Sequence, residues 1–172
     1  MEESRQIYSH YWIFLRCAGR LSDRELLERF GLVNYQPTEF TRRFGPSVVI
    51  GEDGEWTFLA DDLLYTLWHK QTTRPTLEQL AKECNVFAGS IGDCDDSHDF
   101  IYYRAGELVR KYTVLDHGSR GAAVFEDIGE PLPGEWAAFQ HAGVLSRVLA
   151  VANSLGIRTE YAESEVRMYI PK

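Results

Sequence analysis

Between Val86 and Leu115, three runs of β-branched and aromatic residues follow one another with no helical stretch between them. The runs are Val86–Ile91, Phe100–Tyr103 and Leu108–Val114, and side chains of this kind suit a pleated, packed surface. Ala105-Gly106 separates the second run from the third, and Gly accepts the positive φ that a tight turn requires. The stretch therefore predicts an antiparallel three-stranded meander, and a meander commits the chain to a sheet whose apolar side must be covered. Its first connection, Gly92-Asp93-Cys94-Asp95-Asp96-Ser97-His98-Asp99, is densely acidic. Strict alternation along the third run places Leu108, Arg110, Tyr112 and Val114 on one face and Val109, Lys111 and Thr113 on the other. Arg110 and Lys111 then cannot form one basic patch.

The flanking sequence adds helices and further strands. Residues 7–17 read as a largely buried strand. Ser22 with Glu25 three residues later is a capping box, Leu26, Leu27 and Phe30 make an apolar face, and Gly31 ends a helix over 22–30. Residues 32–46 read as a loop with one helical turn. Val48–Ile50 and Glu55–Leu59 flank an Asp53-Gly54 hairpin turn. Asp61–His69 reads as a short helix capped by Asp61 and Asp62, with a continued strand as the alternative. Pro75 starts a helix over 75–84 that buries Leu77, Leu80, Ala81 and Cys84. Residues 122–128 read as a short edge strand, 135–155 as helical with a break at Gly143, and 166–170 as a last strand. No linker or repeat divides the 172 residues. The expected architecture is a single α+β domain over 1–172, a mainly antiparallel sheet with helices packed on one face.

The chain carries 26 acidic and 18 basic side chains, a net charge of −8. Phosphate backbones are bound by clustered Lys and Arg, so no nucleic acid is expected as a partner. A basic protein suits the acidic balance, and homo-oligomerisation stays open. No apolar run approaches the length of a membrane span, and Met-Glu-Glu-Ser-Arg is not the start of a signal peptide. Cys17, Cys84 and Cys94 match no zinc spacing and read as reduced thiols in a cytoplasmic protein.

The candidate recognition residues are Asp93, Asp95, Asp96, His98 and Asp99, joined by Asp61, Asp62, Trp68 and His69. Asp93, Asp95 and Ser97 fall at the alternate positions of a calcium loop, but His98 stands where that loop needs Gly and Arg104 where it needs Glu. Cys94 and His98 alone are two ligands short of a zinc site. His69 has the titration range of a general base without a signalled partner. Nucleophile-elbow, phosphate-loop, dinucleotide and His-Glu-x-x-His motifs are absent from the sequence, so neither catalytic residues nor a cofactor or metal is expected.

The run Val86–Ser97, with Phe100-Ile101-Tyr102-Tyr103 and Gly106-Glu107-Leu108-Val109, resembles small uncharacterised bacterial domain families. Some families of this look occur near polymorphic toxin systems as immunity proteins. The resemblance spans roughly residues 50–115 and implies an acidic binder, with no active residues to transfer. The leading expectation is a soluble acidic protein-binding module. The alternative is an enzyme or metal-binding protein with its site around Asp93–Asp99 and His69.

Overall fold

The computed structural model describes residues 9–41, 45–61, 66–92, 94–140 and 143–172. Its elements in chain order are β1 (Tyr11–Cys17), α1 (Asp23–Arg29), β2 (Tyr35–Thr38), β3 (Val48–Asp53), β4 (Trp56–Asp61), α2 (Thr73–Leu80), β5 (Cys84–Ile91), β6 (His98–Arg104), β7 (Glu107–Asp116), β8 (Ala122–Ile128), α3 (Glu135–Ala138), α4 (Val144–Ser154) and β9 (Val166–Pro171). All nine strands join one antiparallel sheet in the order β2-β9-β3-β4-β1-β5-β6-β7-β8. The meander forms β5, β6 and β7, and β8 extends it to the edge.

The expected α+β arrangement is corrected by this sheet. Strand accounts for 40% and helix for 23%, and the helices are short. They also cover both faces. Tyr11, Ile13 and Leu15 of β1 pack with Leu26, Leu27 and Phe30 near α1 and Leu77 and Leu80 of α2. Trp12 and Phe14 of the same strand pack with Val148, Val151 and Ala152 of α4. A central strand with five successive buried apolar residues, Tyr11–Leu15, cannot leave one face to water, so the helices must divide between the two sides.

Helix α1 forms as its local signals dictate. The Ser22 hydroxyl accepts from the Glu25 N–H while Glu25 accepts from the Ser22 N–H. Gly31 follows at φ 66°, where a side chain would be strained. Helix α2 starts earlier than Pro75 and ends before Cys84, and Thr72 precedes it without a side-chain cap. Cys84 instead opens β5 and is bonded to Cys17, its direct partner across β1 and β5. This corrects the expectation of reduced thiols, and thiol content no longer argues for a reducing compartment. The 32–46 loop contains β2, which pairs with β9. Of the Asp61–His69 segment, Asp61 closes β4 and 66–69 is a turn, while Asp62–Tyr65 lie outside the described residues.

Between β6 and β7 the register shifts, with Tyr103 opposite Leu108 and Tyr102 opposite Arg110. Val109 is the extra residue, and the bulge sends Leu108 and Arg110 to opposite faces, against the strict alternation. No helix among the described residues is long and apolar enough to cross a membrane.

Candidate functional site

Strand pairing assembles a polar row across the face that carries α2. Asp61 is opposite Tyr11, Tyr11 opposite Ser90, Ser90 opposite Asp99, Asp99 opposite Thr113, and Thr113 opposite Glu126. Side chains in direct register share a face, so six strands contribute one transverse line. The Ser90 hydroxyl donates to Asp99 Oδ1 at 2.7 Å, and the Ser90 N–H reaches the same oxygen at 3.1 Å. Thr113 donates to Glu126 Oε2 at 3.0 Å, and the Lys111 ammonium donates to the Glu126 carboxylate. Burial raises the Asp99 carboxyl above the usual range, against the pull of the Ser90 hydrogen bonds. Burial, and then the charges of Asp99 and Asp61, push the Tyr11 phenol upward as well.

Asp61 is fully buried and organises the turn beyond β4. Its carboxylate accepts the backbone N–H groups of Thr66, Leu67 and Trp68. That turn leaves the Trp68 indole nearly half exposed and leads to the first turn of α2. Trp68, Lys70, Arg74 and Leu77 thereby face Tyr11, Asp99, Lys111 and Thr113 across a cleft of about 260 Å³.

The sequence candidates divide among three places. Asp61, Trp68 and Asp99 converge on this row and cleft. His69 meets the Trp68 ring edge-on at 5.0 Å and does not line the cleft. His98 is buried beside Tyr112, on the opposite face of the sheet, where burial lowers its pKa; its Nδ1 lies 2.9 Å from the Asp96 carbonyl. Asp95 and Asp96 sit exposed at the tip of the acidic loop. Asp62 and Asp93 lie outside the described residues. Tyr11, Ser90, Lys111 and Thr113 were not among the candidates. The Ser90–Asp99 pair could have been read from the hairpin register, since Ser90 precedes the acidic loop by two residues and Asp99 is its last residue.

The loop tip is closed by its own backbone. Gly92 N–H donates to the Ser97 carbonyl at 2.7 Å, Ser97 N–H to Asp95 Oδ1 at 2.8 Å, and Asp96 N–H to Asp116 Oδ2 at 3.2 Å. Asp116 in turn is bonded through its N–H to the Ser97 hydroxyl. Asx-type bonding of this sort uses carboxylates as turn acceptors. Among the described residues, no group of three or more His, Cys, Asp and Glu side chains is placed to hold a metal.

Asp116 also ends β7, opposite Ala122 at the start of β8. The acidic tip therefore adjoins the open edge of the sheet. Six of the seven β8 residues are exposed, including Val124, Ile128 and Phe125 at 68%. Both of its acids reach a base of β7, Glu126 meeting Lys111 and Asp127, still more than half exposed, meeting Arg110. Trp136 of α3, 70% exposed, lies edge-on to Phe139, which packs on Tyr112 of β7.

No family model matches the chain, and no curated protein or solved structure matches it either.

Proposed function

We propose that this chain is a protein-binding module that takes a strand of a basic partner along β8, with the acidic tip at Asp95, Asp96 and Asp116 steering the approach. The observation that carries the reading is the contrast between the two sheet edges. Edge strands expose unpaired N–H and C=O groups, and natural sheets blunt them with Pro, charge or shortness. β2 has four residues and carries Pro37. β8 is longer, contains no Pro or Lys, and presents Val124, Phe125 and Ile128, while Glu126 pairs with Lys111 and Asp127 shares Arg110 with Glu135. The bulge between Thr113 and Val114 bends this edge without covering it. Strand addition is a common recognition mode, with backbone bonds supplying affinity and flanking pockets specificity. The net charge of −8 favours fast, salt-sensitive association with a positive surface. An immunity-like role, capping a basic toxin, is the biological form of this reading.

A photo-crosslinking amino acid placed at Phe125, and separately at the exposed Val33 of the α1–β2 connection, tests it in native extract. The expected result is one dominant basic protein captured from position 125 only, and lost at high salt. Capture of a second copy of the chain, or equal capture from both positions, would overturn the proposal.

A further inference from the structure

We propose that the cleft between the Trp68–Leu77 segment and the polar row is a second, independent site that binds a small organic anion with a flat apolar body. Its volume, about 260 Å³, lies just below the roughly 300–1,000 Å³ of drug-sized pockets, so it fits a single-ring molecule. Its walls supply two kinds of contact. Trp68, Leu77 and Ile101 offer an apolar slot. Lys70, Arg74 and Lys111 bring three cations to one cleft of a chain whose net charge is −8.

What those cations already bind decides what the cleft lacks. Lys111 is cancelled by Glu126, both side chains being largely buried. The Lys70 ammonium donates to the Gly31 carbonyl at 2.9 Å, a neutral acceptor, and pairs with no carboxylate among the described residues. Arg74 pairs with Glu78 at 3.5 Å, with both side chains more than half exposed, an arrangement that water and salt weaken; its other neighbours are the Tyr103 hydroxyl and, at longer range, Glu126, which Lys111 already holds. The first turn of α2 runs along the same wall, through Thr73 and Arg74. It contains no acidic residue, and Thr72 provides no side-chain cap. The positive end of the helix is therefore left without the anion such ends attract. The one carboxyl in the cleft, Asp99, is held by Ser90 and biased by burial toward its neutral form. An anionic headgroup would meet Lys70, Arg74 and the α2 amides, while a ring lies against Trp68. Carboxylate and phosphate monoester share this chemistry.

The test is a titration of the whole chain with benzoate and with phenyl phosphate, followed by amide and indole NMR shifts, with benzylamine as the cationic control. Saturable shifts of the Trp68 indole N–H and the Thr113 amide are expected with at least one anion and not with benzylamine. The double variant Lys70→Gln/Arg74→Gln, checked for an unchanged melting temperature, is expected to bind about tenfold more weakly or worse. The better of the two probes identifies the headgroup. Absence of saturable shifts with both anions, equal binding of benzylamine, or undiminished binding by the double variant would each overturn the proposal. Phe125→Lys, which removes the apolar anchor proposed for β8, is expected to leave the titration unchanged, so the two sites fail or stand separately.

Discussion

Arg110 and Glu135 are removed from water together, at 2% and 1% exposure. The guanidinium reaches Glu135 through Nε at 3.0 Å and Nη2 at 2.6 Å, and Nη1 also donates to the Ile128 and Gly129 carbonyls. Glu135 accepts the Leu132 N–H in addition. One arginine thus fastens the connector between β8 and α3 onto the sheet. A Cβ on Gly129, at φ 83°, would stand 2.1 Å from the Val109 carbonyl oxygen, so the connector can lie this close only as Gly. Removing one partner of a buried pair typically costs ~3–5 kcal/mol; here Nη1 keeps the more exposed Asp127, while Nε and Nη2 lose their only acceptor among the described residues. Glu135→Ala is expected to lose about 2–4 kcal/mol in urea unfolding, and a loss under about 1 kcal/mol would contradict the buttressing role. Sequence reading placed Arg110 on the correct strand. It missed the bulge at Val109, because nothing local marks an unpaired residue before the partner strand is known.

His98 and Asp99 are neighbours in sequence that titrate in opposite senses. Burial favours the neutral form of each. For His98 the folded-state pKa lies below the unfolded value of about 6.5, so its stabilising contribution is present above that pH and is lost as pH falls. For Asp99 the folded-state pKa lies above the unfolded value of about 3.9, so its contribution is present in acid and is lost as pH rises through the folded value. Asp99→Asn keeps an acceptor for Ser90 and removes the buried charge. It is expected to be more stable than the parent at pH 7, while His98→Gln flattens the loss of stability between about pH 7 and 5. Unfolding curves across pH measure both. A destabilised Asp99→Asn at pH 7 would mean that the ionised carboxylate is needed by Ser90 or Lys111.

Helix α1, the β3–β4 hairpin, the meander and the edge strand were legible because their signals are local: a capping box, an Asp-Gly turn and period-two runs. Residues 122–128 coincide with β8. The insertion of β9 between β2 and β3, and of β1 between β4 and β5, was not legible, because those partners lie far apart in the chain and no short motif encodes them. The same limit hid Tyr11 from the candidate site while Asp61, Trp68 and Asp99 were visible. For β8 the consequence is separable from folding. Its side chains are exposed, and surface substitutions of this kind usually change stability by no more than about 0.5 kcal/mol. Val124→Lys or Phe125→Lys is therefore expected to melt as the parent does and to abolish capture of the basic partner. Retained capture by both variants would move the binding face away from this edge.

The molecule is organised around a sheet with two apolar faces, so its coherence depends on the strands at its centre. β1 links the β2-β9-β3-β4 half to the β5-β6-β7-β8 half, and its partner on the second side is β5. The Cys17–Cys84 bond lies at this seam and closes a separation of 67 residues. Cross-links that close long loops restrict the unfolded chain most, with typical stabilisation of about 2–4 kcal/mol. Reduction, or paired Cys17→Ser and Cys84→Ser substitution, is expected to lower the unfolding free energy by about that amount. The effect should appear across the whole sheet: hydrogen exchange in β1 and β5 should accelerate together with exchange in their outer neighbours, because neither half keeps its register without the seam. Faster exchange confined to residues beside Cys17 and Cys84 would show instead that pairing and the two helix-covered cores hold the seam without the bond. Cys94 is exposed on the acidic loop, outside this bond, so Cys94→Ser is the control that leaves stability unchanged.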